Sequence, residues 1–440
     1  MAIDVKRYSD LIKRAQTVRV RGRVTELTGL VIKAAVPNVR VGDVCEIMGR
    51  GNSSLRAEVV GFQGEEVMLM PLGELKGIGP DSEVIPSGKP LTIRAGDGLL
   101  GRVLNGIGEP MDGKGPLPTE NMIDWSVDRD CPDPYTRMRI EKPLSLGVRC
   151  IDGLLTVGEG QRIGLFAGSG VGKSTLMGQI ARNATAELAV IALIGERGRE
   201  VLEFVEDSLG HAGLKRSVVI CATSDQPSLV RLKAGFVATA VAEFFRERGG
   251  NVLFMLDTIT RLARAQREIG LAIGEPPARQ GYPPSVFSML PRILERTGNS
   301  AKGKCTAIYT CLVAGGDMED PIADEVRGIL DGHFILNRAL GERNQWPAMD
   351  VLASLSRVMS QIVTKEHKKA GGKLRETLST YEKQRDLILL GAYQYGTDPR
   401  TDYAIDKYDA IIDFLKQDTD SNVLYADTVA QLQALFEDAN

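Results

Sequence analysis

The sequence has no pair of cysteines at C-x-x-C spacing and only three histidines in 440 residues. A structural zinc site needs clustered cysteines and histidines, and a disulfide framework needs cysteines at close, regular spacing. Neither kind of site is therefore expected, and the thiols are more typical of core packing. The six cysteines are scattered along the chain, at Cys45, Cys131, Cys150, Cys221, Cys305 and Cys311.

Long apolar stretches are also missing. A membrane-spanning helix needs about 20 consecutive apolar residues, and no uninterrupted run in this chain approaches that length. The first residues are charged, which is unlike a secretory signal. We therefore expect a cytoplasmic protein, and the chain length predicts about two to four domains.

A strong net charge is absent too, because the formal net charge is −3 at pH 7. No basic field spans the chain, so a nucleic-acid partner is not expected. Locally, the first 24 residues carry seven basic side chains against two acidic ones. Residues 3–16 place apolar residues at helical spacing between these basic ones. They predict an amphipathic helix that contacts a partner or acidic lipid, or else a solvated cap on the first domain.

Short alternating apolar runs fill residues 18–93, separated by glycine, asparagine, aspartate and proline. Regularly spaced strands of this kind predict a small closed β-barrel. Phe62 is the only aromatic residue in this segment, and nothing in it has a catalytic pattern. The Gly- and Pro-rich residues 95–145 predict a structured connection. We assign the N-terminal helix and barrel to residues 1–95.

From residue 150 to 345, buried-type apolar runs alternate with helical patterns such as the one at 227–248. This alternation predicts an α/β domain over residues 96–345. We expect it to contain a mainly parallel sheet covered on both faces by helices. Ligands bind such sheets at the carboxyl ends of their strands. Strands are expected at 189–194, 217–222, 252–256, 306–313 and 333–336.

Beyond residue 350 the strand patterns stop. Apolar residues recur at helical spacing near 374–381, 404–415 and 429–436. Three amphipathic helices are therefore predicted, and they form a helical C-terminal domain at residues 346–440.

The segment 162–175, RIGLFAGSGVGKST, runs from an apolar strand through glycines into helix formers. Glycines let backbone N–H groups face inward and a helix N-terminus adds partial positive charge, so the segment predicts a phosphate-binding loop. Its pattern is G-x-x-x-x-G-K-[ST] with Ala167 at the first position. Lys173 would reach the β- and γ-phosphates of ATP, and the Ser174 hydroxyl would coordinate Mg²⁺. The expected nucleotide contacts are Gly168, Ser169, Gly170, Val171, Gly172, Lys173, Ser174 and Thr175.

Two carboxylates follow strand patterns in the same domain. Asp257 directly follows the apolar run 252–256. In this position it fits the carboxylate that holds magnesium through water. The alternative is that it is a helix cap, as an aspartate at a strand end often is. Glu196 follows the run 189–194 and lies at the same edge of the sheet as the loop. There it can polarise a water molecule toward phosphorus. The alternative for Glu196 is an ion pair with Arg197 or Arg199.

Arg357 follows the last strand pattern of the α/β domain. Spacing alone cannot assign it to the site formed by its own chain. From the residues alone it is a surface or salt-bridge arginine.

With these residues in place, the sequence resembles the type III protein-export ATPases, relatives of the catalytic subunit of rotary ATP synthases. The likeness covers essentially the whole chain and implies a barrel, a RecA-like nucleotide domain and a helical C-terminal domain. The segments that carry it are 165–175, 194–201, 265–270, 274–277, 281–287, 320–324, 329–333 and 356–359.

The resemblance implies a cytoplasmic ATPase that works as a ring, most simply a hexamer, with ATP and Mg²⁺ at subunit boundaries. Arg357 matches the arginine finger that one subunit supplies to the next, which contributes roughly 10³- to 10⁵-fold in rate. The relatives have a tyrosine that stacks on adenine where this chain has Trp346, and an indole can stack equally well. The resemblance also implies that Lys173 binds phosphate and that Ser174 binds the metal. Glu196 would be the base that activates water, with Arg197 as its neighbour in the site. Asp257 would be the acidic residue that holds the metal.

The resemblance also implies partners: an export regulator at the N-terminus, a stalk protein, chaperones with their export substrates, and a membrane export gate at the inner face of the membrane. Details at 389–394 favour the flagellar branch of the family. Residues 365–367 occur in its injectisome branch, which is the alternative. The loop at Gly315, Gly316 and Asp317 is less acidic than in the family and receives no role.

Two other classes of function remain. A non-catalytic ring subunit usually lacks the base or the lysine, and both are present here. A ring translocase of nucleic acid would need aromatic residues between basic ones on its N-terminal domain, and this barrel segment has a single aromatic residue.

Overall fold

The computed structural model describes residues 20–437. The predicted N-terminal helix at residues 3–16 lies outside this range. The described chain divides into two compact units, and the boundary in the sequence falls between Leu91 and Thr92.

The first unit is a closed antiparallel barrel with the strand order β1-β2-β5-β4-β3-β6. Its interior is aliphatic, because alternate residues on each strand point inward and Ile32, Ile47 and Leu69 are fully buried there. The predicted barrel is therefore confirmed. Its strands are β1 (Gly22–Thr28), β2 (Val31–Ala35), β3 (Asp43–Met48), β4 (Ser54–Gln63), β5 (Glu66–Pro71) and β6 (Glu83–Pro90).

The second unit is built on an eight-stranded sheet with the order β18-β17-β12-β16-β15-β13-β14-β8. All neighbouring strands in it are parallel except the edge pair of β17 and β18. The central strand β13 is buried at every residue, as expected for a sheet covered on both faces. The strands are β8 (Val103–Asn105), β12 (Arg162–Ala167), β13 (Leu188–Ile194), β14 (Ser217–Ala222), β15 (Asn251–Asp257), β16 (Lys304–Leu312), β17 (Gly332–Leu336) and β18 (Leu355–Ser356).

Two small antiparallel sheets lie within the first part of the second unit. One pairs β7 (Thr92–Ala95) with β9 (Ile123–Ser126). The other pairs β10 (Pro143–Leu144) with β11 (Val157–Gly158). The Gly- and Pro-rich connection is thus ordered by strand pairing.

Helices cover the eight-stranded sheet. The longest helix among those that follow the strands of this sheet is α5, and most residues of α5 are buried. These helices are α1 (Arg149–Leu154), α2 (Lys173–Asn183), α3 (Gly198–Glu203), α4 (Gly210–Lys215), α5 (Ser228–Glu247), α6 (Ile259–Ala272), α7 (Pro284–Arg296), α8 (Pro321–Ile329), α9 (Arg338–Glu342) and α10 (Met359–Ile362).

The C-terminal region consists of three helices, α11 (Lys365–Leu389), α12 (Pro399–Leu415) and α13 (Tyr425–Ala434). Their apolar faces join the core of the second unit through Leu374, Phe414 and Leu432. The helical C-terminal region is therefore confirmed. Between residues 20 and 437, no helix combines the length and the apolar character needed to cross a bilayer.

Candidate active site at the carboxyl edge of the sheet

The glycine-rich segment forms a loop between the end of β12 and the start of α2. Gly170 and Gly172 have φ values of +76° and +79°, a region of backbone conformation that favours glycine. A Cβ at Gly170 would meet nothing within 4 Å, whereas one at Gly172 would lie 2.9 Å from the indole of Trp346. The loop therefore has open space beside Gly170 and is closed by an aromatic ring beside Gly172.

Three charged groups meet beside this loop. The Lys173 ammonium contacts the Asp257 carboxylate and lies 3.8 Å from Oε1 of Glu196. Thr310 on β16 donates a hydrogen bond of 2.6 Å to Oδ1 of Asp257. These groups converge because β12, β13, β15 and β16 are parallel, so that their carboxyl ends share one edge.

Glu196 lies in a crowded carboxylate environment. Burial, a hydrogen bond with Glu200 and the negative charge of Asp257 raise the pKa of Glu196 to about 7. The cations Lys173 and Arg261 oppose this rise, and Arg261 lies 3.2 Å from Oε2 of Glu196. The pKa of Glu200 is lowered, chiefly because its carboxylate accepts the hydrogen bond from Glu196. At neutral pH the Glu196 carboxyl group is therefore poised to accept a proton.

The donor set beside the loop fits a magnesium ion that a triphosphate helps to hold. Asp257 is 2% exposed and ends β15, and Ser174 is exposed in the first turn of α2. Magnesium is usually held by one or two protein oxygens together with phosphate oxygens and water. Within residues 20–437, no cluster of three or more histidine, cysteine or acidic side chains could hold a metal by itself. A hydroxyl and one carboxylate match the sparse protein ligation that magnesium accepts.

Trp346 and Arg338 border the loop from the segment that follows β17. The Trp346 ring packs against Gly172 and Gly341 and remains 39% exposed, so one part of the indole is free. Arg338 donates a hydrogen bond of 2.9 Å to the carbonyl oxygen of Ser169.

Arg197 lies next to Glu196 in sequence but points elsewhere. Its side chain is 75% exposed and lies 3.6 Å from Glu200. The structure therefore places it at the rim of the site, beyond the contacts of Lys173.

Arg357 is not brought to the loop of its own chain. It follows β18, which pairs with Gly332 at the amino end of β17, whereas Ala167 at the start of the loop pairs with Leu336 at the other end. The length of β17 separates these points by roughly 13 Å at the usual rise per residue of a strand. Its side chain is exposed and lies 3.5 Å from the carbonyl oxygen of Arg327.

Four further residues contact the site, and the sequence patterns did not single them out. A signal existed for Arg261, because it lies four residues after Asp257, in the first turn of α6. Glu200 lies four residues after Glu196, in the first turn of α3, so a local signal existed for it as well. No local signal indicated Thr310 and Arg338, which meet the site through tertiary packing.

Comparisons with known proteins cover nearly the whole described chain. Residues 24–88 match the beta-barrel domain of the ATP synthase alpha/beta family, and residues 147–356 match the nucleotide-binding domain of that family. Residues 363–434 match the T3SS EscN ATPase C-terminal domain. The chain is 53% identical over 428 residues to the flagellum-specific ATP synthase of Bacillus subtilis, with 97% of each chain covered. This chain belongs to the type III protein-export ATPases.

This export ATPase is equally similar to a member of the other branch. It is 53% identical over 419 residues to the type 3 secretion system ATPase of Xanthomonas euvesicatoria, covering 95% of this chain and 94% of the relative. A solved structure of the assembled ATPase EscN in complex with its central stalk EscO, from enteropathogenic E. coli, superimposes with a TM-score of 0.87 at 46% identity. That match covers 94% of this chain and 99% of that one. The comparisons therefore establish the family. They do not distinguish its two branches, because a relative from each branch is 53% identical to this chain.

Proposed function

We propose that this export ATPase hydrolyses ATP at the boundaries between copies in a ring. Each triphosphate is bound by the loop of one copy, and Arg357 is supplied by the next copy. The observation that carries the proposal is that Lys173, Glu196 and Asp257 converge at one edge of the sheet. Arg357 lies at the opposite end of β17. Within one copy the loop and Arg357 therefore lie apart, which supports a site shared between copies.

In this proposal the loop and the N-terminus of α2 bind the phosphates. Lys173 neutralises charge on the β- and γ-phosphates, and backbone N–H groups near Gly170 donate hydrogen bonds to the phosphate oxygens. Ser174 and Asp257 hold Mg²⁺. When bound, the ion neutralises charge that develops on the phosphate oxygens.

Glu196 is the proposed base. Its carboxylate orients the attacking water and accepts its proton, a function supported by its place beside Lys173 and by its raised pKa near 7. Arg197 at the rim assists it, and the exposed part of the Trp346 indole stacks on adenine. Both groups border the site without contacting Lys173.

The ring and its partners are proposed from the family. The EscN relative is assembled and binds a central stalk. We infer that this chain forms a homo-oligomer, most simply a hexamer, with a stalk protein of its own. The remaining proposed partners are an export regulator, chaperones with their substrates, and a membrane export gate at the inner face of the cytoplasmic membrane. Hydrolysis would release substrates from chaperones and deliver them to the gate.

Within the family we propose the flagellar branch, which the segment 389–394 favours. The injectisome branch is the second candidate, since a relative from each branch is 53% identical. Complementation separates them. Restored swimming in a strain lacking its flagellar export ATPase supports the first, and restored effector secretion alone supports the second.

The shared site is tested by steady-state ATP hydrolysis over increasing concentrations of the full chain. Activity per subunit should rise steeply as copies associate, because an isolated copy lacks Arg357 near its own loop. Sedimentation at the same concentrations should show assembly over the same range. Activity that is constant per subunit from dispersed chains to assembled ones would exclude a site shared between copies.

A further inference from the structure

Thr310 is a buried polar residue on β16 that directly contacts the proposed metal ligand. It is 0% exposed, and its hydroxyl donates a hydrogen bond of 2.6 Å to Oδ1 of Asp257. Asp257 is itself 2% exposed. Because a hydrogen bond is electrostatically stronger in the protein interior than in water, this contact can hold the carboxylate in one orientation.

The register of the sheet places the hydroxyl beside Asp257. The ladder between β15 and β16 pairs Leu256 with Tyr309, and the next residues on the two strands are Asp257 and Thr310. Residues at matching positions on neighbouring strands present their side chains to the same face of a sheet. The side chain at position 310 therefore determines what the Asp257 carboxylate meets on this strand.

A second hydrogen bond fixes the end of β16 to the segment that follows Asp257. The N–H group of Leu312 donates a hydrogen bond of 2.9 Å to the hydroxyl of Thr260, in the first turn of α6. This bond holds the backbone of β16 two residues beyond Thr310. The Thr310 hydroxyl is thus carried by a strand that is itself held in place, as a group that positions a metal ligand must be.

Thr310 is also the donor that stays with Asp257 when the phosphates are bound. Among residues 20–437, Asp257 has two hydrogen-bond donors, Lys173 and Thr310, and both contact Oδ1. In the proposed function Lys173 binds the phosphates, so Thr310 remains as the donor committed to the carboxylate. The terminal torsion of an aspartate has only a broad preference, so without this donor the carboxylate is free to rotate.

We propose that Thr310 is a positioning residue for the magnesium site, whose hydroxyl fixes the Asp257 carboxylate in the orientation that holds the ion. This inference rests on the proposed function, in which Asp257 and Ser174 hold Mg²⁺. Thr310 contacts neither the nucleotide nor the metal and acts only through Asp257. Removing a hydrogen-bond partner of a metal ligand typically lowers metal affinity or activity 10- to 100-fold.

The test measures the affinity of the full chain for AMP-PNP, a non-hydrolysable ATP analogue, by calorimetry with Mg²⁺ and again with EDTA. The ratio of the two affinities is the gain that the metal provides. Thr310→Val keeps the shape of the side chain without its hydroxyl, so the gain should fall about tenfold while the affinity in EDTA stays within about twofold of wild type. Thr310→Ser retains the donor and should retain the gain.

Thr306→Val is the matched control. Thr306 lies on the same strand and is also 0% exposed, but its hydroxyl accepts a hydrogen bond of 2.8 Å from the N–H group of Gly160. This control removes a buried threonine hydroxyl from β16 away from Asp257, so the gain from Mg²⁺ should equal that of wild type. Thr310→Ala, which also lacks the hydroxyl, replaces Thr310→Val if the valine variant does not fold.

Two results would overturn the inference. One is a wild-type gain in Thr310→Val, and the other is an equal loss of affinity with Mg²⁺ and with EDTA, because Thr310 would then support Lys173 or the fold instead of the metal. Asp257→Asn separates this inference from the proposed function. Loss of the gain in Asp257→Asn but not in Thr310→Val overturns the role of Thr310 alone, whereas a wild-type gain in Asp257→Asn overturns the metal site itself. None of these measurements requires hydrolysis or Arg357.

Discussion

Glu196 contacts a cation on each side, and its carboxyl group also shares a hydrogen bond with Glu200. A base in this position needs its charge, since only the carboxylate accepts a proton from water. Two variants, one at Glu196 and one at Glu200, test the contribution of this charge.

Glu196→Gln should bind ATP normally and hydrolyse it about 10²- to 10⁴-fold more slowly, because the amide keeps the shape of the side chain and cannot act as a base. Rapid-quench turnover and equilibrium nucleotide binding measure the two effects. Hydrolysis at the wild-type rate in this variant would rule out Glu196 as the base.

The pH profile should show the raised pKa of Glu196. Because the protonated form is inactive, kcat/KM should fall as the pH is lowered through about 7. Glu200→Gln removes the carboxylate that stabilises the protonated form, so the pKa of Glu196 should decrease and the acidic limb should shift to lower pH. An unshifted limb would show that Glu200 does not set the protonation of Glu196.

Trp346 can be tested by its own fluorescence, because the chain has only two tryptophans. In a Trp125→Phe background, ATP should quench the emission of Trp346. Trp346→Ala should weaken ATP binding by about 1–3 kcal/mol, or roughly 5- to 150-fold, if the indole stacks on adenine. Trp346→Tyr should retain most of the affinity, and equal binding by all three proteins would disprove stacking.

Sequence reasoning could predict some neighbours in the site and not others. Lys173, Glu196 and Asp257 each follow a strand pattern, and parallel strands bring their carboxyl ends to one edge. Thr310 reaches the site because β16 pairs with β15, and Arg338 reaches it from the segment that follows β17. Such contacts depend on the order of strands in the sheet, which local patterns do not contain.

At the scale of secondary structure, the buried strands were the most predictable elements. The strand predicted at 217–222 coincides with β14, since an uninterrupted apolar run needs burial on both faces. The barrel strand β6 has a less regular sequence pattern. Its sequence contains Pro86, Gly88 and Pro90, which interrupt the alternating pattern that indicates a strand.

A buried ion pair joins α5 to α7 and offers a test of packing. Arg296 and Glu243 are 0% and 3% exposed, and two hydrogen bonds of 2.8 and 2.7 Å connect them. Glu243→Leu should lower the free energy of unfolding by about 3–5 kcal/mol, because it leaves a buried guanidinium without its carboxylate.

The double variant Glu243→Leu with Arg296→Met removes both charges and should recover most of that loss. Urea unfolding followed by Trp125, which packs edge-on against Phe244 of α5, measures both in a Trp346→Phe background. A double variant as unstable as Glu243→Leu would show that the contact of Arg296 with the Val127 carbonyl oxygen matters more than the ion pair.

On the scale of the whole molecule, the order of strands determines what one chain can do alone. The sequence pattern predicts a parallel sheet, but only the structure shows that β18 pairs antiparallel at the amino end of β17. This placement keeps Arg357 away from the loop. From spacing alone its location could not be decided.

Arg357→Ala should therefore leave ATP binding within about twofold of wild type while kcat falls roughly 10³- to 10⁵-fold at concentrations that support assembly. Fluorescence of Trp346 reports binding, and phosphate release reports turnover. Arg400→Ala, which removes an exposed arginine from the first turn of α12, is the matched control and should retain full activity. Normal turnover in Arg357→Ala would contradict the shared site.

The separation of the loop and Arg357 by the length of β17 has a consequence for the living cell. Under the proposed shared site, newly made copies that diffuse singly would bind ATP without hydrolysing it, because Arg357 lies away from the loop of its own chain. ATP would be hydrolysed only where copies are assembled, so the location of assembly would also determine where in the cell hydrolysis takes place.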